Sequence, residues 1–287
     1  MKLIHHLCVL VIVSIVLHGC VSKSLPPTPM QTATQTLSPT SIPLTATSIP
    51  SPTQTATLTP PATLEPKQAQ ETIQALLRES ADCDAPCFWG ITPGQTTLGE
   101  AINIFTRLGL QVKHTNTRDH KKFYEIGYGF DNSLSILSLL TTQDDIVENL
   151  RIYITPEKQI TGVPREWSAY SPEALINRYG LPSKVAFALD WGPRSYFEMD
   201  MYFDEVDLIV EYMGHNIIPR QKGSPQVCPL TAQFESVRLW IGKDPYQPPR
   251  EAVPLEKATS LTMEEFSNLM TGNSNKACFI VNGDVFP

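Results

Sequence analysis

A long segment of low complexity, residues 21–66, constrains the fold more than any other feature of this chain. Pro, Thr and Ser account for 10, 12 and 6 of its 46 residues, and it contains no aromatic residue. Such a stretch cannot bury enough apolar surface to offset the loss of chain entropy, so we expect it to be disordered. Compact structure must therefore come from the roughly 220 residues that follow, enough for one large domain or two small ones.

The composition of this segment also predicts its shape. Repeated Pro-Thr and Thr-Ala-Thr units favour a semi-extended, polyproline-like stalk. At about 3.1 Å per residue the stalk would reach about 140 Å when fully extended, and roughly 40 Å as a coil. The segment is therefore suited to hold a folded body at a distance from the point where the chain is attached.

The N-terminus has the pattern of an export signal. Lys2 gives a positive start, and residues 7–17 form an apolar run of 11 residues. That run is too short to span a hydrocarbon core, which needs about 20 residues. A short apolar run after a positive charge is typical of a secretory signal peptide.

The end of this run, Leu17-His18-Gly19-Cys20, resembles the lipobox of bacterial lipoproteins. The resemblance implies a signal peptide at 1–19, cleavage before Cys20, and acylation of its thiol, so that residues 20–66 become a lipidated linker. His18 departs from the family pattern, which has a small residue there. An uncleaved anchor or plain secretion are the alternatives. We expect an extracytoplasmic protein anchored by lipid to the cell membrane, or to the outer membrane if the cell has two.

The charge of the folded part limits its partners. Beyond Glu65 there are 28 acidic and 20 basic residues, a net charge of −8. An acidic domain without a basic cluster is not suited to nucleic acid or to direct contact with an anionic membrane surface. The expected partners are the membrane, through the lipid, and a protein or polymer of the cell envelope.

Four cysteines remain once the signal and the lipid attachment are set aside: Cys83, Cys87, Cys228 and Cys278. An even number of cysteines in an exported domain is usually paired in disulfides. Four cysteines allow three connectivities; we favour the local one, Cys83 with Cys87 and Cys228 with Cys278. A redox role is disfavoured because redox pairs have two intervening residues rather than three. No histidine stands near either pair at metal-ligand spacing.

Hydrophobic periodicity predicts two similar rounds of secondary structure after the stalk. The first has a helix opened by a capping box at Thr97 and Glu100 and closed by Gly109. The second has a helix that begins at Ser171-Pro172 and is closed by Gly180. Three strands follow each helix, at 123–130, 134–140 and 147–154, then at 184–189, 196–203 and 206–212. The chain is completed by a further strand at 236–241, a helix opened by a capping box at Thr262, and a final strand at 278–281.

The predicted fold class is α+β. We expect two tandem units, each a helix followed by an antiparallel meander, at 67–160 and 161–287. The second unit carries a C-terminal helical extension, and the disordered stalk precedes both.

Two segments resemble known domains. Residues 91–97, Ile-Thr-Pro-Gly-Gln-Thr-Thr before a helix, and residues 179–183, Tyr-Gly-Leu-Pro-Ser after one, resemble motifs of SmpA/OmlA (BamE-like) lipoproteins. Their fold is shared with the repeats of the beta-lactamase-inhibitor protein. The run from Cys83 to Gly94 after a Thr/Pro stalk is similar to a group of bacterial lipoproteins with such stalks. The resemblance implies a non-enzymatic binding or assembly module. The duplication, stalk and C-terminal extension depart from the short SmpA/OmlA proteins.

No catalytic or cofactor motif stands out, and we expect no catalytic residue, metal or cofactor. His114 and His120 flank what is expected to be a polar loop. The densest acidic group lies on the hairpin of residues 196–212, where Glu198 and Asp200 are expected on a solvated face. Trp89, Trp167, Trp191 and Trp240 could line a groove, although isolated aromatic residues are more often in the core.

The function expected from these observations is non-catalytic binding or assembly in the envelope, by a lipid-anchored domain of unknown ligand. Trp89, Trp191, Glu198 and Asp200 are its candidate ligand surface. One alternative is an envelope hydrolase that uses the acidic hairpin. The other is a solute-binding or sensor lipoprotein.

Cys20→Ser should abolish lipid attachment, because a hydroxyl does not replace the thiol that carries the diacylglycerol. The variant should fail to incorporate labelled palmitate and should leave the membrane fraction or accumulate as a larger precursor. Cys8→Ser is the matched control, since Cys8 lies inside the apolar run and leaves with the signal. Equal palmitate labelling of the Cys20 variant and the wild type would contradict the lipobox interpretation.

Overall fold

The computed structural model describes residues 62–79, 83–130, 134–156, 160–161, 163, 165–190, 195–215, 218–221, 223–230, 233–243, 252–272 and 277–286. Every described residue belongs to one compact unit, Thr57–Pro287. The signal, Cys20 and most of the stalk therefore lie outside the described residues.

Five α-helices are present among the described residues: α1 Pro66–Glu79, α2 Leu98–Arg107, α3 Pro172–Tyr179, α4 Leu255–Ala258 and α5 Met263–Thr271. Their ends follow local chemistry. Thr97 and Glu100 form a reciprocal capping box at the start of α2, and Thr262 and Glu265 do the same for α5. Such caps satisfy backbone N–H groups that have no partner within the first helical turn.

The strands are β1 Val112–Arg118, β2 Lys121–Phe130, β3 Leu134–Gln143, β4 Ile146–Pro156, β5 Ile160–Thr161, β6 Lys184–Asp190, β7 Tyr196–Phe203, β8 Leu208–His215, β9 Ile218–Gln221, β10 Ser224–Val227, β11 Gln233–Gly242, β12 Val253–Pro254 and β13 Phe279–Ile280. They form two antiparallel sheets. The large sheet has the order β1-β2-β3-β4-β11-β8-β7-β6-β12, with β5 also paired to β11. The small sheet has the order β13-β10-β9.

The large sheet joins two meanders at its centre. Strands β1 to β4 follow α2, and β6, β7, β8 and β11 follow α3, so each meander contributes four strands. The two meanders meet where β4 pairs with β11. Three apolar register pairs lie there: Leu150 with Ile241, Ile152 with Leu239, and Ile154 with Val237. All six side chains are at most 3% exposed, and burial of each contributes about 1.5–3 kcal/mol.

These central residues belong to one continuous hydrophobic core. Helix residues Ile73, Leu77, Phe105, Leu175 and Phe266 belong to the same core. We call the sheet face that carries the central apolar pairs the inner face, and the opposite one the outer face. The buried stripe of each helix is therefore on the same side as the inner face of the sheet.

The α+β class is confirmed, and helices begin and end close to the predicted residues. One prediction about the first meander is wrong: residues 115–119 are not a loop. Strand β1 runs to Arg118, and Asp119 and His120 form a tight turn with φ of 51° and 66°. An edge strand with exposed side chains needs no apolar alternation, so periodicity missed it. Each meander consequently has four strands rather than three, and duplication of the two rounds stays a prediction.

Both disulfides have the predicted local connectivity. Cys83 and Cys87 are joined with their Cα atoms 5.4 Å apart, and Cys228 and Cys278 with theirs 4.1 Å apart. Disulfides of this kind persist in oxidising, extracytoplasmic compartments. The first closes a short loop at the start of the core, and the second joins the residue after β10 to the residue before β13.

The short loop is attached to the second meander's helix. Arg178 forms an ion pair with Asp84 at 2.6 Å, and the backbone N–H of Ala85 donates to the Tyr179 hydroxyl at 2.9 Å. Helix α3 therefore holds a segment that precedes α2 in the chain, so residues from both rounds position the loop.

The two disulfides should stabilise the domain unequally. Cys228 and Cys278 are 50 residues apart in the sequence, and Cys83 and Cys87 are 4 apart. The chain-entropy model gives a stabilisation of about 4 kcal/mol for the longer loop and about 2 kcal/mol for the shorter one. Replacing Cys228 and Cys278 together by alanine should lower the free energy of unfolding more than replacing Cys83 and Cys87. Urea unfolding under non-reducing conditions measures both. Equal losses would contradict the loop-entropy account.

Candidate functional site

The tryptophans do not form a surface groove among the described residues. Trp89 is 5% exposed, Trp167 is completely buried and Trp240 is 8% exposed. Trp89 stacks on Phe88 with ring centroids 4.7 Å apart. The expectation of Trp89 on an exposed ligand surface is therefore corrected: it is a core residue, since the turn after the Cys83–Cys87 loop directs it inward. Trp191 lies outside the described residues.

The acidic hairpin is also not a solvated face. Glu198 is 8% exposed and Asp200 is 2% exposed. Seven of the eight residues of β7 are buried, so both faces of this strand are covered. Alternation predicted the two faces correctly but not their environment, because β7 lies inside a wide sheet between β6 and β8 rather than in a free hairpin.

The buried acids belong to a polar row on the outer face. Asp200 on β7 lies opposite Glu211 on β8, and Glu211 lies opposite Arg238 on β11. The Arg238 Nη1 atom is 2.8 Å from Glu211 Oε1, although Glu211 is 2% exposed. The carboxylates of Glu198, Asp200 and Glu211 each have a partner. A buried charge is tolerated when it is paired in this way, so the row has a structural explanation.

The same acids affect Tyr202. Burial raises the pKa of the Tyr202 phenol, and the negative charges of Asp200, Asp204 and Glu211 raise the pKa further. The Lys184 ammonium group lies 4.7 Å from the centre of the Tyr202 ring. This phenol therefore stays protonated at neutral pH.

A polar cleft of about 370 Å³ lies where turns from both meanders meet at one rim of the sheet. We call it the rim cleft. Its lining comes from six separate segments of the chain and comprises Pro86, Pro93, Gly94, Gln95, Lys121, Glu148, Asn149, Asp207, Gly242 and Lys243. A recess of this size with a few convergent polar groups is the usual form of a small-ligand site.

Backbone hydrogen bonds fix the walls of the rim cleft. The Gly94 N–H donates to the carbonyl of Val147 at 2.7 Å, and the Val147 N–H donates to Thr96 at 2.9 Å. On the opposite side, the Gly242 N–H donates to the carbonyl of Asp207 at 2.9 Å. The turn before α2 is thereby attached to β4, and the end of β11 is attached to the β7–β8 turn.

At Gly242 the end of β11 packs tightly against two other walls of the rim cleft. Its φ of 103° lies in the region that favours glycine. A Cβ atom there would meet the Glu148 carbonyl oxygen at 2.5 Å, Pro93 Cβ at 2.9 Å and Asn149 Cα at 3.1 Å. Any other residue would therefore have to displace two walls of the cleft.

Four charged residues line the rim cleft, and only two of them form an ion pair with each other. Lys121 Nζ lies 2.6 Å from Glu148 Oε2. Lys243 and Asp207 have no ion pair within the part of the chain that the structure describes. The cleft therefore has one cation and one anion left for a bound molecule, and its lining is neutral in sum.

Asn149 adds a buried acceptor. This residue is 3% exposed, and its Oδ1 atom has no hydrogen-bond donor among the described residues. A buried polar atom without a partner costs about 1–3 kcal/mol, and such atoms in native proteins usually have a specific reason. Nine such atoms occur among the described residues, and those of Asn149 and Glu148 belong to residues that line the rim cleft.

The described residues contain neither a membrane-spanning helix nor a cluster of metal ligands. No helix among them is long and apolar enough to cross a membrane. No group of three or more His, Cys, Asp and Glu side chains within the described ranges is arranged to hold a metal ion. His114, exposed on β1, contacts Thr117 and Tyr124.

Comparisons of the chain with protein-family models, with curated proteins and with solved structures found no match in any of the three.

No pattern in the sequence predicted the rim cleft. Its polar side chains come from positions as distant as Gln95, Lys121, Asn149, Asp207 and Lys243, and no spacing in the sequence links them. Two local signals were present, namely the Pro93-Gly94 turn before α2 and the acidic turn between β7 and β8. Neither could indicate that both turns reach the same rim of the sheet.

Gly242→Ala should be strongly destabilising, because the new Cβ atom would clash with backbone and the φ is unfavourable for alanine. We expect a loss of about 2–4 kcal/mol in the free energy of unfolding, measured by urea titration. Gly99→Ala is the matched control: it lies in the first turn of α2 with no atom within 4 Å of the added Cβ. That change should leave stability equal or slightly higher. Similar effects at both glycines would contradict the proposed tight approach at Gly242.

Proposed function

We propose that this chain is a lipid-anchored binding protein of the cell envelope, whose disulfide-linked α+β domain recognises a ligand without catalysing a reaction. Cys20 attaches the protein to a membrane, and residues 20–66 hold the domain at a distance from it. The two disulfides support an extracytoplasmic location for the domain.

The single observation that carries the proposal is the rim cleft. It is recessed, its walls are fixed by backbone hydrogen bonds, and its lining includes two charged residues that have no ion pair among the described residues. Binding to such a preorganised site costs little conformational entropy. A rigid recess with unsatisfied hydrogen-bonding groups is what a ligand-binding module needs.

Burial of the acidic hairpin favours binding over hydrolysis. A general acid or base must come within hydrogen-bond reach of its substrate. Glu198 and Asp200 are 8% and 2% exposed, and Glu211 beside them is paired with Arg238. These carboxylates therefore do not offer the accessible pair that the hydrolase alternative requires. The solute-binding alternative shares the rim cleft with the proposal and differs from it only in the ligand.

The proposal can be tested in living cells with a photo-crosslinking amino acid placed at Gln95. This residue is exposed and lines the rim cleft. We expect it to capture a discrete envelope component, identified by mass spectrometry. Glu264, exposed on α5 and absent from the cleft lining, is the matched control position.

Two results would contradict the proposal. One is an identical set of crosslinked products at Gln95 and Glu264, since a binding cleft should capture what a distant helix does not. The other is turnover of an envelope substrate by the purified chain, lost in Asp200→Asn, because this would assign chemistry to the acidic row.

A further inference from the structure

The charges of the rim cleft indicate the chemical class of its ligand. The Lys121–Glu148 ion pair at 2.6 Å is internally neutral. Lys243 and Asp207 then present one positive and one negative group without an ion pair among the described residues. A dianionic phosphate would place two negative charges into a lining that sums to zero, so the cleft is poorly matched to it. A molecule with one charge of each sign is the better match.

The hydrogen-bonding groups at the buried end of the rim cleft indicate which group of the ligand binds there. The Asn149 Oδ1 atom is an acceptor without a donor, and the Asp207 carboxylate, which is half-buried, accepts hydrogen bonds only. Together they call for a group rich in N–H donors, such as an ammonium. Lys243, which is exposed, can then pair with an anionic group nearer the mouth of the cleft.

Cleft size and the character of the lining narrow the class further. About 370 Å³ is enough for an amino acid or a dipeptide, at the small end of ligand pockets. None of the ten described lining residues is aromatic, so the cleft offers no ring on which a flat ligand could stack.

We infer that the rim cleft binds a small zwitterion, an amino acid or a dipeptide. Its ammonium group is held by Asp207 and Asn149 Oδ1, and its carboxylate pairs with Lys243. This inference rests on the proposed binding function and specifies the ligand of the same site.

Calorimetry on the purified full chain in detergent tests the inference with alanine and alanyl-alanine as probes. Two blocked peptides complete the set: N-acetyl-alanyl-alanine, which lacks the ammonium group, and alanyl-alanine amide, which lacks the carboxylate. We expect a free probe to bind about tenfold or more tightly than either blocked peptide, because each blocking group removes one charge-assisted contact.

Two variants assign the contacts. Lys243→Gln should weaken binding of the free dipeptide about tenfold and leave binding of the amide unchanged. Asp207→Asn should weaken binding of the free dipeptide and leave the N-acetyl peptide unchanged. Asparagine tolerates the left-handed backbone that Asp207 adopts at φ 46°, so this variant should fold. Lys257→Gln, an exposed lysine of α4 outside the cleft lining, is the matched control.

The outcomes separate the inference from the proposed function. Failure of both free probes to bind, or equal binding of free and blocked peptides, would overturn the zwitterion inference, while selective crosslinking at Gln95 would still support a binding function. Hydrolysis of alanyl-alanine to free alanine by the purified chain would instead overturn the non-catalytic function, but it would still support a zwitterion as the ligand. Loss of binding in Lys257→Gln as large as in Lys243→Gln would overturn the assigned contacts.

Discussion

The pairing of β4 with β11 is the constraint on which the rest of the molecule depends. Six consecutive register pairs join the last strand of the first meander to the last strand of the second, and their inner-face side chains are almost completely buried. Without this junction each meander would expose a long edge strand, which is an aggregation hazard. With it, the helices of both rounds share one core.

The rim cleft is a consequence of the same junction. Asn149 on β4 lies opposite Gly242 on β11, so the pairing that closes the sheet also places a buried amide beside a residue with no side chain. Turns from other parts of the chain complete the walls. A site built in this way combines residues from both meanders, and neither meander alone would contain it.

The outer face of the sheet illustrates how context changes the meaning of a polar residue. Glu198, Asp200 and Glu211 have the spacing of a solvated strand face, yet they are buried and have partners. These carboxylates have a structural role, because a buried charge must be paired or hydrogen-bonded. The contrast with the rim cleft is informative: Asn149 is equally buried, but its Oδ1 atom has no donor among the described residues. The candidate site is distinguished by its recess and by Lys243 and Asp207, which have no ion pair among the described residues.

Local features were predictable from the sequence because they depend on neighbouring residues. Capping boxes at Thr97 and Thr262 and the helix end at Gly109 were predicted, since caps and turns are set within short stretches. Counting predicted that the four cysteines pair, and the structure selected the favoured local connectivity from the three possible ones. The strand β1 was missed because an exposed edge strand carries no apolar period. The rim cleft, the burial of Asp200 and the inward position of Trp89 were decided only by tertiary structure. Each depends on strand order across the sheet, and that order is set by the summed burial of the whole core rather than by any local pattern.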